Sequence, residues 1–228
     1  KSYAVRVQNE MMQIQGKVHG CLRLGASPTV GDFILPRLLG QFSKLYPEIS
    51  YSMQIGNNQQ IYRQLKEGNI ELAFLAGKMP GKQLDAISVV EDEQVLIVSQ
   101  RHPWSSRFSI EKEELFGQPL ILRERGSASR KDMEEAFHKV GLEQDKLLIV
   151  AEFYSLEAIK LAVESDLGVA LISLWAIAKE QKLNILHAVK INGVELVREI
   201  RAVMLNENSL TEVASRFLHF TINTMKVV

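Results

Sequence analysis

The sequence predicts an α/β fold built as two lobes, and three observations carry that prediction. Short apolar runs alternate with helix-period stretches along nearly the whole chain, the signature of mostly parallel sheets. One strand–turn–helix design occurs twice, from Leu22-Arg23-Leu24 into Ser27-Pro28-Thr29 and from Leu120-Ile121-Leu122 into Ser127-Ala128-Ser129. A long apolar segment, 195–205, stands ahead of one last helix, so the chain can return to the lobe in which it began. With a strand near 95–100 it would form a two-stranded hinge.

In chain order, residues 1–15 place Tyr3, Val7, Met11 and Ile14 on one narrow helical stripe that Gly16 ends. Strands are then expected near 21–26, 49–55, 70–76, 86–90, 94–99, 119–123, 147–152, 168–173, 185–189 and 195–205. Helices are expected near 31–46, 57–67, 110–115, 127–140, 155–165, 174–181 and 209–225. Pro36 sits early in its helix, where a missing N–H costs little, and Pro47 follows its end. Asn57-Asn58 can cap the next helix and Gly68-Asn69 can close it. Ser209 and Glu212 have the capping-box spacing ahead of Phe217 and Leu218. Gly168 reads as a tight turn into a strand, Trp104 and Trp175 as packing residues, and Cys21, inside an apolar strand, as a buried inert thiol.

The 228 residues are 46% hydrophobic and carry 27 basic against 27 acidic side chains. That length can bury one large core or two modest ones. The zero net charge leaves no electrostatic footprint for nucleic acid or a membrane surface within the chain itself. A single cysteine excludes an internal disulfide and fits a reducing cytoplasm. No apolar run approaches the ~18–20 residues a membrane span needs, and residues 1–16 do not read as a signal peptide. The histidines show no metal-ligand spacing, and there is no nucleophile elbow, phosphate loop or dinucleotide fingerprint. Neither an enzyme, a cofactor nor a metal is therefore expected.

The ordered blocks 22–39, 42–49, Gly56-Asn57-Asn58, 65–73, His102-Pro103-Trp104, 121–130, 155–160 and 167–173 resemble the effector-binding domain of LysR-type transcriptional regulators. The resemblance runs over roughly residues 16–228. It implies two Rossmann-like lobes of the type 2 periplasmic binding protein kind, joined by two crossover hinge strands. Residues 1–19 would end a linker and dimerisation helix, 20–97 with 201–228 would form lobe one, and 98–200 lobe two. It also implies a DNA-binding winged helix-turn-helix ahead of this chain and a small anionic effector in the interlobe cleft. Homodimers or tetramers are implied as well, with Val30, Phe33 and Arg37 and the helices near 31–46 and 209–225 as candidate pairing surfaces. Within the family, the blocks resemble regulators of sulfur assimilation and carbon fixation, which puts sulfur oxyanions and phosphorylated metabolites among the candidate effectors. One departure stands out: Gly126-Ser127-Ala128-Ser129 has Ala128 where relatives often carry Gly.

The candidate effector residues each have a second reading. Helix starts carry unpaired N–H groups and the positive end of the dipole, which suit an anion. Ser27 and Thr29 stand at the first of these, where a serine is equally a cap. Asn57 and Asn58 are a cap or a ligand-facing wall. Ser127, Ser129 and Arg130 combine two hydroxyls with a guanidinium, well matched to an oxyanion. Arg130 can instead pair with Glu134, one turn on. Arg123 and Glu124 are a strand-end ion pair or a ligand contact, and Ser155 is a cap or a ligand contact. Two other classes stay open: a transporter's solute-binding protein, which should carry a secretion signal, and an enzyme on the same bilobal fold, which should carry a catalytic pair.

Overall fold

The computed structural model describes residues 18–79 and 84–226. The helix expected over 1–15 lies outside them. Among the described residues there are ten strands: β1 (Gly20–Ala26), β2 (Ile49–Ile55), β3 (Leu72–Ala76), β4 (Asp85–Ser99), β5 (Ser109–Ile110), β6 (Pro119–Arg123), β7 (Leu148–Phe153), β8 (Val169–Ser173), β9 (Leu186–Ile191) and β10 (Val197–Met204). The helices are α1 (Leu35–Leu45), α2 (Asn58–Lys66), α3 (Ala128–Lys139), α4 (Leu156–Glu164), α5 (Ala178–Lys182) and α6 (Glu212–Met225). The chain divides into two compact units: the first reaches Leu75 and adds Met79–Val90 and Ile200 onward, and the second is Ala76–Lys78 with Glu91–Glu199. The chain crosses from one unit to the other inside β4 and again inside β10.

In the first unit β1 pairs in parallel with β2, Gly20 opposite Ile49 through Ala26 opposite Ile55, and on its other side with β3. Period-two alternation sends Leu22 and Leu24 inward, and Phe74 of β3 meets Phe217 of α6 with ring centroids 5.9 Å apart. Phe217 in turn packs edge-on to Phe42 of α1 at 5.1 Å. The neighbouring β3 residues Ala73 and Leu75 point the other way, into a cluster with Ile61 and Leu65 of α2 and with Val203. Helices thus cover both faces, as parallel strands require. Cys21, one residue out of phase with Leu22 and Leu24 and near the start of β1, is exposed, which corrects the expectation of a buried thiol.

The second unit orders β4, β8, β6 and β7, with β8 antiparallel to β4 and parallel to β6. β9 lies antiparallel to β4 on its other side, and β5 adds to β9. One core cluster gathers Leu96, Leu120, Leu122 and Leu171 with Met133 and Phe137 of α3, and Trp104 belongs to it. α4 packs on β6, β7, β8 and β9.

Several boundaries differ from the sequence expectation. β4 is one continuous strand rather than two, because Glu91-Asp92-Glu93 carries a buried aspartate with long-range partners instead of a solvated turn. The stretch expected as a helix at 110–115 is the two-residue β5 followed by a single 3₁₀ turn, Lys112–Leu115. α5 is shortened by a 3₁₀ turn over Leu174–Ile177. The cap of α6 is Thr211, whose hydroxyl accepts from the Ala214 N–H at 3.2 Å, and Ser209 ends a separate short turn. Val30 is buried within its own unit, which removes it from any pairing surface.

Gly168 is not where the turn before β8 reverses. Asp166 holds the left-handed conformation there (φ 60°), and its carboxylate accepts from Ser99 and Arg101. Gly168 is needed for space: a Cβ would stand 2.5 Å from the Pro119 carbonyl oxygen. Backbone cannot yield as a side-chain tip can, so Gly168→Ala should cost about 1–3 kcal/mol. Both tryptophans, Trp104 and Trp175, lie in the second unit, so a denaturant melt followed by their fluorescence reads that cost directly.

Candidate functional site: hydroxyl-bearing helix starts in each unit

In the first unit the candidate residues collect at the carboxyl ends of two adjacent parallel strands. β1 ends at Ala26 and β2 at Ile55, and the Gly56 N–H donates to the Ala26 carbonyl at 3.1 Å, drawing the two ends together. Open α/β sheets take ligands at this edge. Ser27 is buried; its N–H donates to the Phe74 carbonyl at 3.0 Å, and its own carbonyl accepts from Val30 and Gly31. It therefore stands at the helix N-cap position by its backbone. Thr29, also buried, opens a π-helical turn over Val30–Ile34 and makes no side-chain cap bond to it. Such wide turns recur at functional sites. Gly31 lets the turn lie on β2, since a Cβ there would fall 2.7 Å from Ile55.

Asn57 caps α2 by a reciprocal pair: its Oδ1 accepts from the Gln60 N–H and the Gln60 Oε1 accepts from the Asn57 N–H, both at 2.9 Å. Asn58, buried, is the first helical residue.

The second unit repeats the arrangement at the carboxyl ends of β6 and β7. The Glu124 N–H donates to the Phe153 carbonyl at 3.2 Å, and Gly126 turns the chain at φ 95°, a left-handed value that suits glycine. Ser127 then caps α3, its Oγ accepting from the Arg130 N–H at 3.1 Å and lying 3.4 Å from the Ser129 Oγ. Both hydroxyls are buried. Ser155 caps α4 in the same way from an exposed position, accepting from the Ala158 N–H at 3.3 Å.

Arg130 is embedded. Its Nε donates to Glu134 at 2.8 Å, and its Nη1 donates to the Arg123 carbonyl at 2.9 Å and to Glu152 at 2.5 Å. Burial alone would lower its pKa, but the two carboxylates outweigh that and raise it. The hydrogen bond from Arg130 holds the Glu152 carboxyl below the usual carboxylate range. Arg123 and Glu124 form a forked pair at 2.8 and 2.9 Å, both side chains largely buried. The pairing of Arg130 with Glu134 was legible from their spacing. Glu152, 22 residues away, was not; its only signal is an acid in the otherwise apolar run Leu148–Phe153.

Sequence reasoning missed one further polar cluster of this unit. Asp92 is 0% exposed; it accepts from Ser173 Oγ at 2.5 Å and from Arg198 Nε at 2.8 Å. Arg198 also reaches Asp132 of α3 at 3.4 Å. Burial raises the Asp132 pKa, against the opposing pull of Arg198. Among the described residues no group of three or more His, Cys, Asp or Glu side chains could hold a metal, and no helix is long and apolar enough to cross a membrane.

Comparison with known proteins places these features. The "Probable RuBisCO transcriptional regulator" of Porphyra purpurea is 34% identical over 206 residues, 89% of this chain. The chain spans only 64% of that relative's length. The Synechocystis PCC6803 CcmR regulatory domain, solved in complex with 2-PG, superposes with a TM-score of 0.82 at 25% identity, covering 91% of this chain and 98% of that one. The effector binding domain of QuiR, solved with shikimate, gives a TM-score of 0.77 at 20% identity, with 91% and 98% covered, and supports the fold. These neighbours bear out the type 2 periplasmic binding protein fold class. Residues 15–226 match the LysR substrate binding domain, so the chain belongs to that family.

Proposed function

We propose that this domain senses a small anionic metabolite for a LysR-type transcription regulator and works by binding, without turnover. The observation that carries the reading is the pair of helix starts, each at the carboxyl edge of a parallel sheet and each bearing two buried hydroxyls: Ser27 and Thr29 in one unit, Ser127 and Ser129 in the other. Backbone N–H groups and the dipole at such starts favour negative charge, and the hydroxyls add donors. Asn57, Asn58, Arg123, Glu124, Arg130 and Ser155 complete the candidate set, with Arg130 acting chiefly to anchor the second helix start. The 2-PG bound by the CcmR regulatory domain makes it the first anion to try. In the whole protein the domain would act in the cytoplasm as a homodimer or tetramer and reach DNA through a separate winged helix-turn-helix. An effector would shift that assembly only by its difference in affinity for the two arrangements.

A thermal-shift series tests this with 2-PG, shikimate, small carboxylates, sulfur oxyanions and sugar phosphates. An anion at a hundred times its Kd adds about 2.7 kcal/mol, a rise of roughly 5–10 °C for a chain of this size. We expect one selective, saturable rise that Ser127→Ala abolishes beyond the ~1 kcal/mol loss of its cap. A rise that survives in both Ser127→Ala and Ser27→Ala would remove the helix starts from the site. No rise with any anion would remove the anionic effector.

A further inference from the structure

α3, capped by Ser127, carries two acidic side chains one turn apart, Asp132 and Glu135, and both meet residues at the places where the chain changes units. Glu135 accepts from Lys78 at 2.5 Å. Lys78 closes the stretch Ala76–Lys78, which belongs to the second unit although the chain on either side of it belongs to the first. Gly77 holds φ 78° there, and a Cβ on it would stand 2.8 Å from an Asp132 carboxylate oxygen. The Gly77 N–H donates at 3.0 Å to the carbonyl of Glu199, the last residue of β10 before its crossing. Arg198, next to Glu199, reaches Asp132 through Nη1 at 3.4 Å. The crossing in β4 is tied to the same guanidinium, because Asp92 accepts from Arg198 at 2.7 and 2.8 Å.

We propose that α3 is a transmission element with Asp132 as its coupling residue, so that a change at the Ser127 helix start reaches the crossings in β4 and β10 through the Asp132–Arg198 contact. Driven by an effector, this rests on the anionic reading above; the coupling itself does not. The two sides of Arg198 differ in kind. Towards Asp92 its bonds are of ordinary length and both side chains are buried, which makes that pair a fixed post. Towards Asp132, whose side chain is 18% exposed, the bond is longer than the roughly 2.7–3.2 Å usual for N–H···O. A movement of α3 by a few tenths of an ångström therefore decides whether it strengthens or is lost. Ser127 and Asp132 lie about 7.5 Å apart along one hydrogen-bonded helix, so a pull at the start displaces both. Lys78 and Glu135 are too exposed to carry the coupling, since water screens their pair. By linkage, whatever displaces the crossings acts back on the helix start.

The test is proton–nitrogen correlation NMR of the domain, read at the Gly77 and Glu199 amides and at the Arg198 Nε–H. Ser127→Ala disturbs the helix start without any ligand and should move these resonances. In an Asp132→Ala background the same replacement should move them about threefold less, because the contact that couples the sites is gone. In a Lys131→Ala background, which alters an exposed neighbour on α3, the movement should be retained. Asp132→Ala should fold, since it leaves Arg198 paired with Asp92 and places a better helix former in α3. A second arm adds 2-PG, which should shift the amides of Ser127–Arg130 and also those at the crossings, the latter again only when Asp132 is present. The coupling is overturned if Ser127→Ala leaves the crossing resonances in place, or moves them equally with and without Asp132. Shifts confined to Ser127–Arg130 on adding 2-PG would overturn it too, while leaving the anionic reading intact. A crossing response to Ser127→Ala with no response to 2-PG would uphold the coupling and count against 2-PG as the effector.

Discussion

Arg198→Met should destabilise the second unit by about 3–5 kcal/mol, because it strands Asp92 as an uncompensated buried charge. Asp92 would keep only the Ser173 hydroxyl, and Asp132 would lose the guanidinium that opposes its burial. The expected fall in melting temperature is on the order of 10 °C. Asp92→Leu combined with Arg198→Met should recover much of the loss, since removing both charges removes the desolvation problem with them. Tryptophan fluorescence during a denaturant melt follows the right unit, and a change below about 1 kcal/mol in the single variant would show that water reaches Asp92. The pH dependence has a definite sign. The folded-state pKa of Asp132 is raised, so the native state holds that proton more tightly than the unfolded chain does. The charged form therefore costs stability above the raised value, and the cost disappears as pH falls through it.

Arg130→Ala should show the second large effect, about 2 kcal/mol. Each charged hydrogen bond contributes about 1.5–3 kcal/mol when buried, but the carboxylates of Glu134 and Glu152 are partly in water and are discounted accordingly. What remains is largely the Arg123 carbonyl left without the guanidinium. Arg130→Lys should restore less than half of the loss, since an ammonium cannot serve three acceptors in a planar fork. The variant should also flatten the acid limb of the stability curve. Glu152 has a depressed folded pKa, so its contribution is present above its ordinary value and lost as pH falls through the depressed one. Without Arg130 the largest part of that contribution is absent, and only the Arg125 backbone and charge still favour the carboxylate. An unaltered acid limb would show that Glu152 draws its low pKa from elsewhere.

The parts of this molecule that were readable beforehand are those written within a few residues of each other. Short apolar runs placed β1, β2 and β3, and helix starts announced themselves through Asn57, Ser127 and Ser155, each of which makes the cap bond its type suggests. Cys21 was misread although the information was local, because the strand was taken as uniformly apolar instead of counted residue by residue against Leu22 and Leu24. The continuity of β4 could not be found this way. Its acidic triplet looks like a turn until Arg198, 106 residues later, arrives to neutralise Asp92. Gly168 shows the same limit, since its reason is the Pro119 backbone and not its own turn. At the helix starts the hydroxyls were legible and the anchoring of Arg130 to Glu152 was not.

The two crossings inside β4 and β10 also bear on how the molecule is made. As the chain leaves the ribosome, the second unit has all its residues once Glu199 has emerged, whereas the first still lacks Ile200 onward. Until then β3 has no β10 beside it, and Phe42 and Phe74 have no Phe217 to cover them. Of these two units, the one whose synthesis starts earlier is thus the later to close, reversing the usual amino-to-carboxyl order of domain folding. During that interval the first unit's apolar sheet face is the surface a chaperone would meet.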